Sequence, residues 1–397
     1  MFSVIMPARN EHTAPTIPHR PSVLLLAALA TRFNRGIFQG MVGYARQQTN
    51  WRLTCQDETN FAVRRRARFD GVLLLRGEKL FIAYARRVDA PIVLVGNPME
   101  YPQASSVSVN EEGIGELAAG HFTDLGLKHF AFVAHGNWPF VPQRMAAFAK
   151  AVASRGLGPV HELLGVYHDY RRRPRFERDL RAMLQQLPRP CGLLAANDEL
   201  GVFIVETCRS LGLRVPDDIA VLGVDDDEME CELSEVPLSS VQQPLYAMGY
   251  EAARLLHQHM ADRNKGPTKL LLPPVRVVPR ASSDLMAMAD QDVAEALRLI
   301  KDHASEPINV AWLVQRLPVA RRTLQRKFLA AVGRTILAHI HHVRFQKAKT
   351  LLVESDLALE LVARNSGFAN ARWMADRFRR ELGITPGRYR RQFRTES

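Results

Sequence analysis

Two stretches toward the C-terminus of this 397-residue chain gather its richest hydrogen-bonding chemistry. The first, NVAWLVQRLPVARRTLQRKF (309–328), and the second, LELVARNSGFANARWMADRF (359–378), each end in arginines mixed with carboxamides. A guanidinium binds guanine through two parallel hydrogen bonds, a carboxamide does the same for adenine, and further cations grip phosphate. Each stretch reads as a short helix, a tight turn and a second helix. Apolar residues recur at i, i+3 or i+4 (Trp312, Leu313, Leu324, Phe328; then Leu361, Val362, Trp373, Met374, Phe378), which predicts one buried face in each copy. Between the copies, HIHHVRFQKAKTLLV (339–353) predicts one uninterrupted helix of about 22 Å. Such a connector would hold two probes on one side of a duplex, roughly one turn or about 34 Å apart.

Charge points the same way. Residues 290–397 hold 20 lysines and arginines against 11 aspartates and glutamates, so this quarter of the chain carries +9 of the total +12. A basic excess confined to one region is the expected footprint of a polyanionic partner, here double-stranded DNA. Arg64 to Arg66 and Arg171 to Arg173 read as solvated loop charge.

Other chemistries find little support. There is no Ser-His-Asp signature, P-loop or zinc-ligand spacing, so no enzyme, cofactor or metal is expected. The four cysteines, Cys55, Cys191, Cys208 and Cys231, form no C-x-x-C pair and read as buried thiols in a reducing compartment. A DNA-repair methyltransferase would need His after its nucleophilic cysteine, and Pro190-Cys191 is followed by Gly192. The run Asp226, Asp227, Glu228 reads as exposed charge.

No run reaches the roughly 18 apolar residues of a membrane helix. VLLLAALA (23–30) has the flavour of an export signal cleaved after Ala30, which would make the protein a periplasmic binder, but the same run serves as a first core strand of a cytoplasmic protein. Residues 1–21, with four prolines, are expected to be a disordered tail. From Ser22 onward apolar strands (23–29, 71–75, 91–95, 129–134, 192–196, 219–224) alternate with helical patterns (36–48, 114–125, 144–155, 199–211, 247–260). This predicts parallel sheets covered on both faces, with ligands at the C-terminal ends of the strands.

The stretch 290–393, with RRTLQRKF, RFQKAKTLL, VARNSGF and FRRELGITPGRYR, resembles the DNA-binding domain of the AraC family of transcription regulators. The resemblance implies that Arg321, Arg322, Gln325 and Arg326 are exposed on the first recognition helix, and Asn370, Ala371, Arg372 and Arg377 on the second. Two departures stand out. Pro318 and Ala320 replace the family's usual Gly and capping Ser, so the first recognition helix lacks a capping oxygen worth about 1 kcal/mol. Asp376 occupies a commonly basic position and would repel phosphate unless paired with Arg372 or Arg380.

Residues 22–272, with NEEGIGELAAGHFTDLGLKHFAFV, QRMAAFAKAV, AANDELGVFIVE, VPDDIAVLGVDDDE and PLSSVQQPLYAMGYEAARLL, resemble the sugar-sensing domain of the LacI family, which is periplasmic-binding-protein-like. With PPVRVVPRASSD (273–284) closing the sensor, the layout resembles the xylose-responsive regulators over essentially the full length. The implied fold is an α/β two-lobed sensor at 22–284 followed by an all-α domain with two helix-turn-helix motifs at 285–397.

A sugar presents hydroxyls that donate and accept, and a C–H face that stacks on an aromatic ring. The matching positions are Arg144, Asn197, Asp198, Asp225 and Gln243, with Phe140 or Trp138 as stacking face and Asn34 and Arg35 from the N-terminal lobe. Asp198 alternatively caps the helix beginning at Glu199, and Arg144 alternatively pairs with a surface carboxylate. The resemblance further implies a homodimer, D-xylose as effector, and RNA polymerase as the partner through which pentose genes are activated; the rival reading is a transport-type binding protein with an incidental basic tail.

Overall fold

The computed structural model describes residues 20–393 apart from 28, 30, 57–67, 76–88, 97–103, 137, 166–172, 285–290 and 333. Most of the expected tail, Ala30, Arg64 to Arg66, Arg171, Arg172 and the junction after 284 lie outside the described residues.

One six-stranded sheet contains β1 (Ser22–Leu26), β2 (Arg52–Gln56), β3 (Gly71–Leu75), β4 (Ile92–Val95), β5 (Ser105–Val109) and β11 (Lys269–Leu272), in the order β11-β5-β4-β3-β1-β2. Its pairings are all parallel. The second sheet contains β6 (His129–His135), β7 (Val160–Gly165), β8 (Cys191–Ala195), β9 (Ile219–Asp225), β10 (Ser239–Gln242) and β12 (Arg276–Val278), in the order β12-β10-β9-β8-β6-β7. Here only β12 runs antiparallel. The run SVLLL shows why helices cover both faces: Val23 and Leu25 enter one apolar core, Leu24 and Leu26 the core on the other face.

The helices of the first lobe are α1 (Arg32–Gln48) and α7 (Leu245–Ala261). They pack backbone against backbone: a Cβ on Gly40 would fall 2.0 Å from the Tyr246 carbonyl oxygen, and one on Gly249 1.9 Å from that of Ile37. The second lobe carries α2 (Glu111–Asp124), α3 (Phe140–Ala153), α4 (Arg173–Gln186), α5 (Asp198–Ser210) and the short α6 (Glu228–Leu233). The chain crosses between lobes three times, after β5, after β10 and between β11 and β12.

The caps explain most boundary differences from the sequence reading. Thr31 caps α1, so it begins at Arg32 and not 36; Asn110 caps α2 and Asn197 caps α5. Strand β1 ends at Leu26, short of the expected 29.

The C-terminal region is helical: α8 (Gln291–His303), α9 (Val310–Val314), α10 (Arg321–Val332), α11 (Ile336–Glu354), α12 (Leu359–Asn365), α13 (Ala371–Leu382) and α14 (Pro386–Phe393). The expected connector is α11, 19 residues long, which at 1.5 Å per residue spans about 28 Å. It separates two small cores. Leu313, Leu324, Phe328 and Ile340 belong to one; Phe345, Met374, Phe378 and Tyr389 belong to the other. Two residues expected on the buried faces are instead exposed, Leu361 at 44% and Trp373 at 62%.

Among the described residues, no helix is long and apolar enough to cross a membrane, and no group of three or more His, Cys, Asp or Glu side chains could hold a metal. Cys191, Cys208 and Cys231 are buried, whereas Cys55 is exposed, against expectation. Burial pushes the Cys191 and Cys208 thiols up to about 12, so neither offers a thiolate nucleophile near neutral pH.

Candidate ligand cleft and DNA-reading surface

A cleft lies between the lobes, lined by Phe33, Gly96, Val109, Glu111, Phe140, Arg144, Asn197, Asp225, Gln243 and Met248. Gly96, Val109, Asn197 and Asp225 stand at or just beyond the C-terminal ends of β4, β5, β8 and β9, where parallel sheets present ligand sites. Gly96 has φ +74°, and a Cβ there would fall 2.9 Å from the Phe33 ring, so glycine makes room for one aromatic wall.

Arg144 is the most constrained group in the cleft. It is 3% exposed and donates from Nε (2.6 Å) and Nη2 (3.0 Å) to the two carboxylate oxygens of Glu111, and from Nη1 to the Ala196 carbonyl. Its partner is therefore a buried carboxylate and not a surface one. A guanidinium has five N–H donors, and three are engaged, which leaves two for the cleft. The cation also lies 4.5 Å from the centroid of the Phe140 ring. Glu111 escaped the sequence reading even though it lies within the NEEGIGEL motif, because its partner is 33 residues away.

The opposite wall is built on a strained corner. Asp225 and Asp226 have φ of +124° and +55°. A non-glycine residue held there costs about 1–3 kcal/mol and persists only where its surroundings over-determine it. Gln243 Nε2 donates to Asp225 Oδ1 at 2.5 Å, and the Asp226 amide donates to Ser240 Oγ at 3.0 Å. Gln243 Oε1 is buried without a donor among the described residues. Asp226, expected to be exposed charge, is buried: Arg280 donates to it at 2.9 Å and Gln242 Nε2 at 3.1 Å. Asp227 caps α6.

Asp198 does not line the cleft. It lies beneath the strained corner, accepting from Ser240 Oγ (2.6 Å) and the Asp227 amide (2.7 Å). Burial, and then the charge of Asp225, pushes its carboxyl up to about 8. The cap of α5 is Asn197, whose side-chain oxygen accepts from Leu200 N at 3.2 Å; its amide nitrogen remains as a donor. Asn34, Arg35 and Trp138 are likewise absent from the lining. Asn34 is buried, Arg35 is exposed and donates to the Leu29 carbonyl at 3.2 Å, and Trp138 is 36% exposed.

The lobes are bridged at the mouth of the cleft. Arg32, at the start of α1, donates to the Asp226 carbonyl through Nη1 and to Asp227 Oδ2 through its backbone amide at 3.3 Å.

In the helical region, Arg321, Arg322, Gln325 and Arg326 are all exposed on α10. Ala320, which precedes α10, has its carbonyl engaged by Leu324 N but no side-chain oxygen to cap with. Helix α13 differs. Asn370 caps it, its side-chain oxygen accepting from Trp373 N at 2.9 Å, so that oxygen is committed locally. Arg372 is exposed, but Arg377 turns inward: it pairs with Glu381 at 3.0 Å and lies 5.9 Å from the Phe345 ring. Asp376 pairs with Arg379 at 2.9 Å, and not with Arg372 or Arg380. The open face of α13 therefore presents Arg372, Trp373, Arg379 and Arg380.

Comparison with known proteins follows the same division. Residues 119–283 match a periplasmic binding protein-like domain, and residues 313–392 match a helix-turn-helix domain. The chain is 29% identical over 387 residues to the xylose operon regulatory protein of Escherichia coli (strain K12), covering 94% of this chain and 97% of that protein. It is 25% identical over 370 residues to the protein of the same name from Haemophilus influenzae, covering 90% and 95% respectively. The solved structure of the xylose-binding transcription activator xylR superimposes with a TM-score of 0.61 at 28% identity, covering 95% of this chain and 100% of that one.

Proposed function

We propose that this chain, which joins a periplasmic binding protein-like sensor to an AraC-type helix-turn-helix reader, is a transcription regulator of the XylR type that converts binding of a single pentose, D-xylose, into a change in operator occupancy. The supporting observation is the convergence in one cleft of Arg144, Asn197, Asp225 and Gln243 with the rings of Phe33 and Phe140. Two free guanidinium N–H groups and the Asn197 amide donate to sugar oxygens; Gln243 Oε1 and the Asp225 carboxylate accept from sugar hydroxyls; the phenyl rings take the C–H face.

Sugar held by groups of both lobes favours the closed form, in which Arg32 bridges to Asp226 and Asp227. Regulation follows to the extent that the sugar binds the DNA-competent state more tightly, and a hundredfold preference supplies about 2.7 kcal/mol. On the DNA side, Arg321, Arg322, Gln325, Arg326 and Arg372 contact base edges or phosphate. Asn370 and Arg377 hold α13 in place. The protein works in the cytoplasm as a homodimer joined through its sensor lobes, and activates pentose uptake and catabolism genes with RNA polymerase as partner.

The test is thermal unfolding and calorimetric titration with pentoses and hexoses, followed by DNA anisotropy with and without the sugar that binds. D-xylose at 100 times its dissociation constant raises stability by about 2.7 kcal/mol. Silence with every pentose refutes the effector assignment.

A further inference from the structure

We propose that the crossover 273–276, the third connection between the sensor lobes, is the element through which cleft occupancy is transmitted to the second helix-turn-helix unit, because that unit has built the crossover into its own core. This rests on the reading of the cleft as the effector site. Val275 is 3% exposed and packs in one apolar cluster with Phe345, Phe378 and Tyr389 of the reader. The Tyr389 hydroxyl donates to the Val275 carbonyl at 2.9 Å in a buried bond. The neighbouring Arg276 donates from Nη1 to Thr350 Oγ1 of α11 at 3.1 Å. Lys349, 4% exposed, lies with its Nζ 5.9 Å from the Tyr389 ring centroid.

The same short crossover touches two elements of the second lobe that position cleft residues. The Val275 amide donates to the Gln242 carbonyl at 2.9 Å, and the next residue, Gln243, is the one that holds Asp225. On the other side Pro274 rests over the first turn of α2, where a Cβ on Gly113 would fall 2.6 Å from its ring. That turn begins with Glu111, which orients Arg144.

A crossover between lobes must change its backbone angles when the lobes close. Because the carbonyl of Val275 and the side chains of Val275 and Arg276 are anchored in or against the reader, α11 and α14 must follow. A second tie holds the other end of α11: Asp124, at the end of α2, pairs with Arg334 and, at 2.6 Å, with His342.

The test uses the full-length protein and a fluorescein-labelled duplex selected by the wild type from a random library, titrated by anisotropy with and without D-xylose. The readout is the ratio of the two dissociation constants. Tyr389→Phe removes one hydroxyl and keeps the ring; Thr350→Val removes the other anchor from the reader side. Each variant is expected to bind D-xylose within twofold of wild type by calorimetry while the ratio moves about fivefold toward one. Ser366→Ala, in the reader core but off the crossover, controls for general loosening and keeps the wild-type ratio. Wild-type ratios in both Tyr389→Phe and Thr350→Val overturn the proposal. A wild-type protein that binds D-xylose but shows a ratio of one overturns it too, while a wild type that binds no pentose fails earlier, at the effector reading.

Discussion

Arg144→Lys keeps the positive charge of the cleft and removes its geometry. The guanidinium serves three buried acceptors, the two Glu111 oxygens and the Ala196 carbonyl. One ammonium replaces it at a single acceptor, so two charge-assisted bonds are lost. At roughly 1.5–3 kcal/mol each, less what relaxation recovers, folding stability falls by about 2–4 kcal/mol. The two N–H groups not engaged by these acceptors disappear as well, and if they bind the sugar as proposed, losing one to two such contacts weakens pentose binding about 10- to 100-fold. Calorimetric titration with D-xylose and chemical denaturation measure the two losses separately. Glu111→Gln and the double variant complete a cycle. The buried bidentate pair (side chains 3% and 6% exposed) makes the coupling energy large, because each single change leaves the other group buried without its partner. A coupling energy near zero, or wild-type sugar affinity in Arg144→Lys, refutes this account of the site.

Arg372→Ala is expected to cost about 1–3 kcal/mol of DNA affinity and to relax preference at one base pair, whereas Arg377→Ala lowers thermal stability and leaves the order of preferred sequences unchanged; selection from a random duplex library distinguishes them. Ala320→Ser supplies the capping oxygen that α10 lacks and should raise the stability of the reader by about 0.5–1 kcal/mol in denaturant unfolding. His121 and His339 supply a pH dependence. Burial holds both down to about 4, whereas an unfolded histidine titrates near 6.5, so the unfolded chain binds more protons between these values. Stability is full above about pH 6.5 and falls as pH drops toward 4, by up to about 1.4 kcal/mol per unit per histidine. Burial opposes ionisation of the adjacent Asp124, yet the hydrogen bond and charge of His342, with Arg334, hold its carboxyl below the usual range. Asp124 therefore adds to the acid loss at still lower pH. His339→Phe, at a ring that already packs 5.5 Å from Phe328, should flatten the slope between pH 4.5 and 7.

The sheets were legible in the sequence because a strand buried on both faces must be apolar at every position, as SVLLL and GVLLL are. The helix starts were less so, since Thr31, Asn110 and Asn197 cap outside the apolar period that marked the helices. Asn197, Asp225, Gln243 and Phe140 could be named because each ends or follows a strand or begins a helix beside one, and Arg144 stands one turn into the helix that Phe140 begins. Glu111 and Phe33 could not: Glu111 acts through Arg144, 33 residues away on a neighbouring helix of the same lobe, and Phe33 reaches the cleft from the other lobe. Period misplaced Trp373, and the family resemblance misplaced Arg377: the stripe on α13 runs through Met374 and Phe378, and the Arg377 guanidinium, rather than the indole, lies toward the Phe345 ring.

The clamping of α11 has a consequence for which genomic sites the protein can use. One added base pair between two recognition blocks moves the second block about 34° around the duplex axis. A helix of 19 residues, tied to the sensor near both ends, cannot twist to follow. Helical phase is thus part of the address the protein reads: two correct words at the wrong spacing engage only one reader. That selectivity is written in the length of α11, without any side chain touching a base.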